Sequence, residues 1–359
     1  MRVVNFNAGP SMLPASVLEA VRDEIVEFGD SGMSMIEMSH RSDIYEGVHC
    51  GAADLIRELF AVPDDFDVLF VQGGATMQFG MLPMNLLTGA FKGGYVDTGA
   101  WASKALADGS YHGEVYAAWT GRDTRYTRVP AVTELSLRDG TRYLHLTSNE
   151  TIGGVQYRAW PDVPVPLVAD MSSDFMSRPI PWERFDVVYG GVQKNLAPSG
   201  LAIVIVRRSI LEHTSRDLAS YFRYDVHASS NSMHNTPPVF PIYVMEKVLR
   251  WIKGRGGVDA MAEAAETRAA LLYQAIDESD GFYVNPVESA SRSNMNVVFR
   301  LADHDLESPF IAEAARRGLV GLAGHRSVGG VRASIYNAMP LSGVEALCEM
   351  MEEFRSGAG

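Results

Sequence analysis

The sequence predicts an α/β fold: a mainly parallel, seven-stranded sheet covered by helices on both sides, followed by a smaller C-terminal α+β domain. Three observations predict it. Seven short β-rich runs recur along the first part of the chain, namely DVLFVQGG, GGYVDTG, EVYAAWTG, RYLHLTSNE, PLVAD, FDVVYGG and LAIVIVRR, most of them closed by Gly, Asp or Asn. Several are apolar on both faces, the pattern of strands buried between two layers. Helical stretches such as 75–90 and 100–109 interleave with them, as crossover connections between parallel strands require.

The elements follow in order. Val17, Leu18, Val21, Ile25, Val26 and Phe28 recur at helical spacing over 15–29, and Ile44, Val48, Leu55, Ile56 and Leu59 do so over 42–60, so two amphipathic helices open the chain. After the seven β-rich runs, a long helical pattern from Pro237 to Arg255, which includes Trp251, runs into the KGRGG segment at 253–257. That glycine cluster is the expected domain boundary, giving a large domain over 15–255 and a small one over 256–359 together with 1–14. The small domain reads as a helix at 258–280, a strand at 294–301, a helix at 308–318, the strand VRASIYN and a closing helix at 342–355. No internal repeat or low-complexity tract interrupts this order.

Composition narrows the function. The 359 residues carry 31 basic and 44 acidic side chains, a formal charge of -13 that opposes general attraction to nucleic acid or an anionic membrane face. The opening MRVVNFNAGPSMLP has no apolar stretch of signal-peptide length, and the longest strongly apolar run, Leu201 to Val206, is far too short to span a bilayer, so a cytoplasmic location is expected. Cys50 and Cys348 form neither a CxxC pair nor a disulfide framework and are expected to be inert buried thiols. The nine histidines show no metal-ligand spacing, and no metal site is assigned.

In open parallel sheets, ligands sit outside the carboxyl ends of the strands, and the polar tails of the β-rich runs gather there. There are five lysines against 26 arginines. Lys247 and Lys253 belong to the helix before the glycine cluster, Lys104 to another helix and Lys92 to a turn. Lys194 alone follows a buried strand, in GGVQKNLAPSG. Asp170 ends PLVAD, so it too lies at a strand's carboxyl edge, where a carboxylate can hold a pyridinium nitrogen protonated or simply cap a turn. VQGGATMQF reads as strand, glycine turn and helix start, with the amides near Ala75 and Thr76 turned toward an anion. Trp101, after DTGA, can lie flat on an aromatic ring or pack in the core. Neither GxGxxG nor GxxxxGK[ST] occurs.

NFNAGPSMLP, MSHRSDIYEGVH, GGATMQFGMLPMNL, DTGAWASKA, SNETIGGVQ, ADMSSDFMSRPI, GGVQKNLAPSGL, HNTPPVFPIY and GHRSVGGVRASIYNAM follow one another along nearly the whole chain. Together they resemble the phosphoserine aminotransferase family, among the class V, fold type I pyridoxal-phosphate enzymes. The resemblance implies that 15–255 is the domain that binds pyridoxal 5'-phosphate. It implies that Lys194 forms the covalent link to the cofactor, that Asp170 pairs with its ring nitrogen and that Trp101 stacks on the ring. Ala75, Thr76 and Gln193 then contact its phosphate region, and Thr151 hydrogen-bonds it. Asn235 and Thr236 reach the phosphate of the neighbouring subunit, which implies a homodimer with shared active sites. His40, Arg41, His325 and Arg326 surround the distal anionic group of the substrate, and Arg332 holds its α-carboxylate. Some members carry arginine where this chain has Thr76, whose hydroxyl still donates one hydrogen bond.

The implied reaction is reversible transfer of an amino group between L-glutamate and a small phosphorylated 2-oxo acid, 3-phosphohydroxypyruvate, in serine biosynthesis. The four-carbon analogue that leads to 4-phosphohydroxy-L-threonine, in pyridoxine biosynthesis, is a second candidate. Lys194 would be the covalent partner and then the base, which requires its pKa to fall from ~10.4 toward roughly 7 to 8. The same residues speak to the alternatives. A desulfurase needs a mobile cysteine and typically a histidine where Gln193 stands. Alanine or serine transamination with glyoxylate would leave the SHR and GHR segments without a distal phosphate to bind. An NAD-dependent oxidoreductase lacks its fingerprint, and a non-catalytic binding protein is expected to have lost Lys194, Asp170 or the arginines.

Overall fold

The computed structural model describes residues 2–212, 214–215 and 217–357. Met1, Ala358 and Gly359, which fall within the expected domain limits, lie outside the described residues. The seven β-rich runs are the seven strands of one sheet: β1 (Phe66–Gln72), β2 (Lys92–Asp97), β3 (Glu114–Thr120), β4 (Thr141–Thr147), β5 (Leu167–Asp170), β6 (Phe185–Gly191) and β7 (Leu201–Arg207). Their spatial order is β1-β7-β6-β5-β4-β2-β3. All neighbours run parallel except β7, which is antiparallel to both β1 and β6. Thr147 pairs with Asp170, and Asp170 with Tyr189, so the carboxyl ends of β4, β5 and β6 come level.

Helices α1 (Ala15–Glu24), α2 (Asp43–Leu59), α3 (Gly74–Leu86), α4 (Ala100–Gly109) and α5 (Val239–Gly254) pack around this sheet. One apolar cluster joins α2 and α5 to a face of the sheet, and another joins α3 and α4 to the opposite face. Burial on both faces explains why the strands read as continuous apolar runs. α2 starts where Ser42 accepts the amide of Tyr45 at 3.3 Å, an ordinary N-cap.

Beyond α5 come α6 (Gly257–Asp277), a three-stranded antiparallel sheet of β8 (Tyr283–Val284), β9 (Asn296–Leu301) and β10 (Val331–Ser334), α7 (Glu307–Arg316) and α8 (Leu341–Gly357). A separate apolar cluster lies here, and it includes Phe6 from the start of the chain. Val4 and Asn5 pair in parallel with Leu319 and Val320.

Three expectations need correction. The first helix stops at Glu24 rather than continuing to 29, because Gly29 and Gly32 adopt left-handed conformations (φ 55° and 71°) and Phe28 donates its amide to Met33; Val26 is left 81% exposed. Lys92 begins β2 instead of lying in a turn, where its ammonium is 3.4 Å from Glu114. Cys50 and Cys348 are half-buried rather than buried.

Candidate active site

Lys194 sits just beyond β6, in a tight turn in which Val192 donates its amide to Leu201 at 3.1 Å and accepts those of Leu196 and Ala197. Two backbone approaches fix this turn. A Cβ on Gly190 would fall 2.9 Å from the Phe175 ring, and the N-terminal segment crosses above, with Ser11 donating its amide to Gln193 at 3.1 Å and its hydroxyl to the Lys194 carbonyl. Glycine at 190 is therefore a packing requirement. The lysine side chain is buried and points its Nζ at Thr151 Oγ1, 2.5 Å away, and at the face of Trp101, whose ring centre is 5.7 Å away.

Burial lowers the Lys194 pKa to about 8, against the opposing pull of the Asp170 and Glu150 carboxylates. That differential destabilisation of the ammonium amounts to about 3 kcal/mol. Asp170 is itself buried. Burial raises its pKa, while the Lys194 charge and the bonds from Ser172 hold it down. Both Ser172 bonds, from the amide at 2.9 Å and the hydroxyl at 2.5 Å, engage Oδ1, which leaves Oδ2 for a ligand.

A cavity of about 290 Å³ joins these groups, lined by Ala75, Thr76, Trp101, Asp170, Gln193 and Lys194 along with Gly73, Gly74, Phe79, Ser172, Ser199 and Gly200. Gly73 and Gly74 are left-handed (φ 96° and 65°), and a Cβ on Gly73 would lie 2.9 Å from Met77 Cβ. Among the described residues no side chain caps α3, so its first-turn amides remain for an anion at the cavity edge. The donor set suits a flat pyridine phosphate: an amine for its aldehyde, a carboxylate for its ring nitrogen, an indole for its face and helix amides for its phosphate. Among the described residues, no group of His, Cys, Asp and Glu is arranged to hold a metal ion.

A second cavity, of about 280 Å³, opens beside α4 and is lined by Arg332, Arg125, Tyr126, Arg300 and Ser327 among others. Arg332 is half-buried, its Nε has no hydrogen-bond partner among the described residues, and its charge acts on Lys194. The remaining expected residues lie elsewhere. His40 (half-buried) and Arg41 (exposed) precede α2, His325 (half-buried) and Arg326 (exposed) sit in the loop before β10, and none of the four lines either cavity. Asn235 and Thr236 also lie outside both, although the Thr236 carbonyl accepts the Gln72 side chain at 2.7 Å, next to the glycine turn.

Two residues at the site were not singled out in the sequence. Glu150 is fully buried and accepts the amides of Trp101 and Ala102. Tyr336, fully buried, places its hydroxyl against Thr151, the Asn296 side chain and the Ala8 carbonyl. In the sequence, Glu150 stands among other polar residues in TSNET and Tyr336 beside Asn337 in ASIYNAM, so neither is conspicuous, and only tertiary contact brings them to Lys194.

The chain is similar to proteins of known name over its whole length. It is 50% identical over 354 residues to the phosphoserine aminotransferase of Geobacillus kaustophilus, covering 99% of this chain and 98% of that one. The solved structure of the Bacillus circulans subsp. alkalophilus phosphoserine aminotransferase superposes with a TM-score of 0.98 at 48% identity, covering 100% and 99% of the two chains. A pyridoxal-phosphate-bound phosphoserine aminotransferase from Trichomonas vaginalis does so with a TM-score of 0.94 at 36% identity, covering 98% and 100%. The family model for class-V aminotransferases matches residues 3–347. A buried lysine facing a carboxylate across a cavity with a glycine-started helix, in a chain alike from end to end to these proteins, shows that it belongs to the class-V aminotransferases.

Proposed function

We propose that the protein is a phosphoserine transaminase, which moves an amino group reversibly between L-glutamate and 3-phosphohydroxypyruvate to give O-phospho-L-serine and 2-oxoglutarate. The observation that carries this reading is the single cavity in which Lys194, Asp170, Trp101, Ala75, Thr76 and Gln193 converge. Pyridoxal 5'-phosphate is the cofactor, and when bound it supplies an electron sink for charge that develops at the amino acid's α-carbon.

The protein's own groups divide the remaining work. Lys194 Nζ holds the cofactor and then takes and returns the proton at the α-carbon; with a pKa near 8 it exists substantially as the free amine at mildly alkaline pH. Asp170, buried and anchored by Ser172, would hold the ring nitrogen of the cofactor protonated. Thr151 orients Nζ through its 2.5 Å bond. Arg332 receives the α-carboxylate, a role supported by its unpartnered Nε at the second cavity and by the two-pronged geometry of guanidinium with carboxylate.

His40, Arg41, His325 and Arg326 bind the distal phosphate, and Asn235 and Thr236 bind the phosphate of the other subunit's cofactor. Their positions outside both cavities of their own chain fit a homodimer that shares its active sites. The domain limits 15–255 and 256–359 with 1–14 belong to the same reading, supported by the separate apolar cluster that takes in Phe6. The protein acts in the cytoplasm; among the described residues no helix is long and apolar enough to cross a membrane.

Borohydride reduction of the cofactor-saturated protein followed by peptide mass mapping tests the lysine, with a pyridoxyl adduct expected on Lys194. Steady-state rates with glutamate as donor test the substrate. The phosphorylated three-carbon acid should exceed glyoxylate in kcat/KM, and its four-carbon analogue should also react. A preference for glyoxylate would point to an alanine or serine–glyoxylate aminotransferase instead.

A further inference from the structure

Glu150 has no part in the chemistry assigned so far, yet its surroundings set it apart. It lies on a two-residue strand, Asn149–Glu150, and is 1% exposed. Among the described residues no side chain donates a hydrogen bond to its carboxylate. The donors are two backbone amides at the start of α4, Trp101 N to Oε2 at 3.2 Å and Ala102 N to Oε1 at 2.9 Å. The N-cap of α4 is Gly99, which has no side chain to cap the helix, so a carboxylate from a distant strand takes that place at the positive end of the helix dipole. Gly99 makes the approach possible, because a Cβ there would lie 2.6 Å from Glu150 Cδ.

A neutral Ser, Thr or Asn can close a helix start without carrying a charge into the interior, which costs several kcal/mol. The charge therefore calls for a second purpose. The other titratable groups that act on Glu150 or respond to it are Asp170 at the end of β5, Lys194 beyond β6 and Tyr157, just after the strand Val155–Gln156 that pairs with Asn149–Glu150. Lys194 is the cation among them.

Resting on the transaminase reading, we propose that Glu150 is a positioning residue for the reaction: its carboxylate closes the start of α4, holding Trp101 over the ring site, and its charge favours the protonated state of the Lys194 nitrogen. With Asp170 placed to engage the cofactor ring and Asp174 paired with Arg178 at 3.1 Å, Glu150 is, among the described carboxylates that act on Lys194, the one left to answer the lysine. Burial pushes the Glu150 pKa up to about 7, so its charge is present above that pH and lost below it. Loss of that charge makes the lysine nitrogen release its proton more readily.

The test is a pH titration of the visible absorbance band of the cofactor in the holoenzyme, read together with kinetics. Glu150→Gln keeps the shape and removes the charge, so its midpoint should fall by about one pH unit, roughly tenfold in proton affinity. Glu150→Asp keeps the charge but shortens the reach to α4, so its midpoint should stay near wild type while kcat falls and KM for glutamate changes little. A wild-type midpoint in Glu150→Gln overturns the proposal, as does an equal shift in both variants, since a simple helix cap would produce that. If Glu150→Gln does not fold, Gly99→Ala replaces it: the added Cβ displaces the carboxylate, the midpoint should fall, and an unmoved midpoint is a refutation. Borohydride mapping of the same samples separates the two ideas. A missing adduct in wild type defeats the transaminase reading itself, whereas adducts throughout with unmoved midpoints defeat only the part given to Glu150.

Discussion

Lys194 is where the balance of forces is tightest. Desolvation lowers its pKa to about 8 and two carboxylates resist the change, so in the cofactor-free protein its amine should react with an acylating probe along a titration curve centred near pH 8, rather than near the ordinary lysine value. Rate of labelling against pH, followed by mass mapping of the Lys194 peptide, measures this. Because the unfolded chain binds this proton up to its ordinary pKa near 10.5 while the folded one releases it from about 8, this group makes cofactor-free stability rise with pH between those values. Lys194→Ala should abolish the borohydride adduct and cut kcat by roughly 10²–10⁴ or more, the span expected for a lost acid–base group. Asp170→Asn should leave the cofactor bound but lower kcat strongly, and Ser172→Ala less so, as measured by single-turnover absorbance changes. Lys194 and Asp170 were legible in the sequence because each ends or follows a buried strand, where an ionisable residue is conspicuous. Glu150 and Tyr336 were not, because their importance comes from what lies opposite them: two helix amides for one, Thr151 for the other.

At the scale of elements, the strands were the most readable part, since burial on both faces writes itself as unbroken apolar runs. The antiparallel direction of β7 was not readable, because an apolar strand looks the same in either direction. Helix ends depended on turn chemistry. Val26 and Phe28 continue the helical spacing of α1, but the Phe28 amide goes forward to Met33, across a turn made by the left-handed glycines at 29 and 32, instead of back into the helix. The glycine turn before α3 carries a sharper expectation. Gly73→Ala must adopt φ 96° and bring its Cβ to 2.9 Å from Met77, which should cost about 1–2 kcal/mol from the backbone alone. Since that turn presents the α3 amides, affinity for pyridoxal phosphate should weaken by roughly fivefold to thirtyfold in a titration of the cofactor-free protein, with little change at saturating cofactor.

For the whole molecule, the residues that line neither cavity are as informative as those that do. Arg41 is exposed, apart from the lysine of its own chain, and the proposed homodimer assigns it to the opposite site. Lys194→Ala and Arg41→Ala should each be nearly inactive. Mixed and allowed to exchange subunits, they should recover roughly a quarter of wild-type activity, because half the dimers then hold one complete site. No recovery would place Arg41 in its own chain's site. A single chain's sequence cannot display such an arrangement, and the family resemblance implied sharing between subunits only through Asn235 and Thr236. The Val4–Asn5 segment adds a constraint of another kind. Val4 pairs with Leu319, and the residues just after it, Gly9 and Ser11, press on the turn that carries Lys194. A nascent chain emerging from the ribosome therefore holds Val4 and Asn5 in waiting until Leu319 and Val320 have been made, so chains stalled before about residue 320 should fail to capture pyridoxal phosphate even though every residue lining the Lys194 cavity has already been translated.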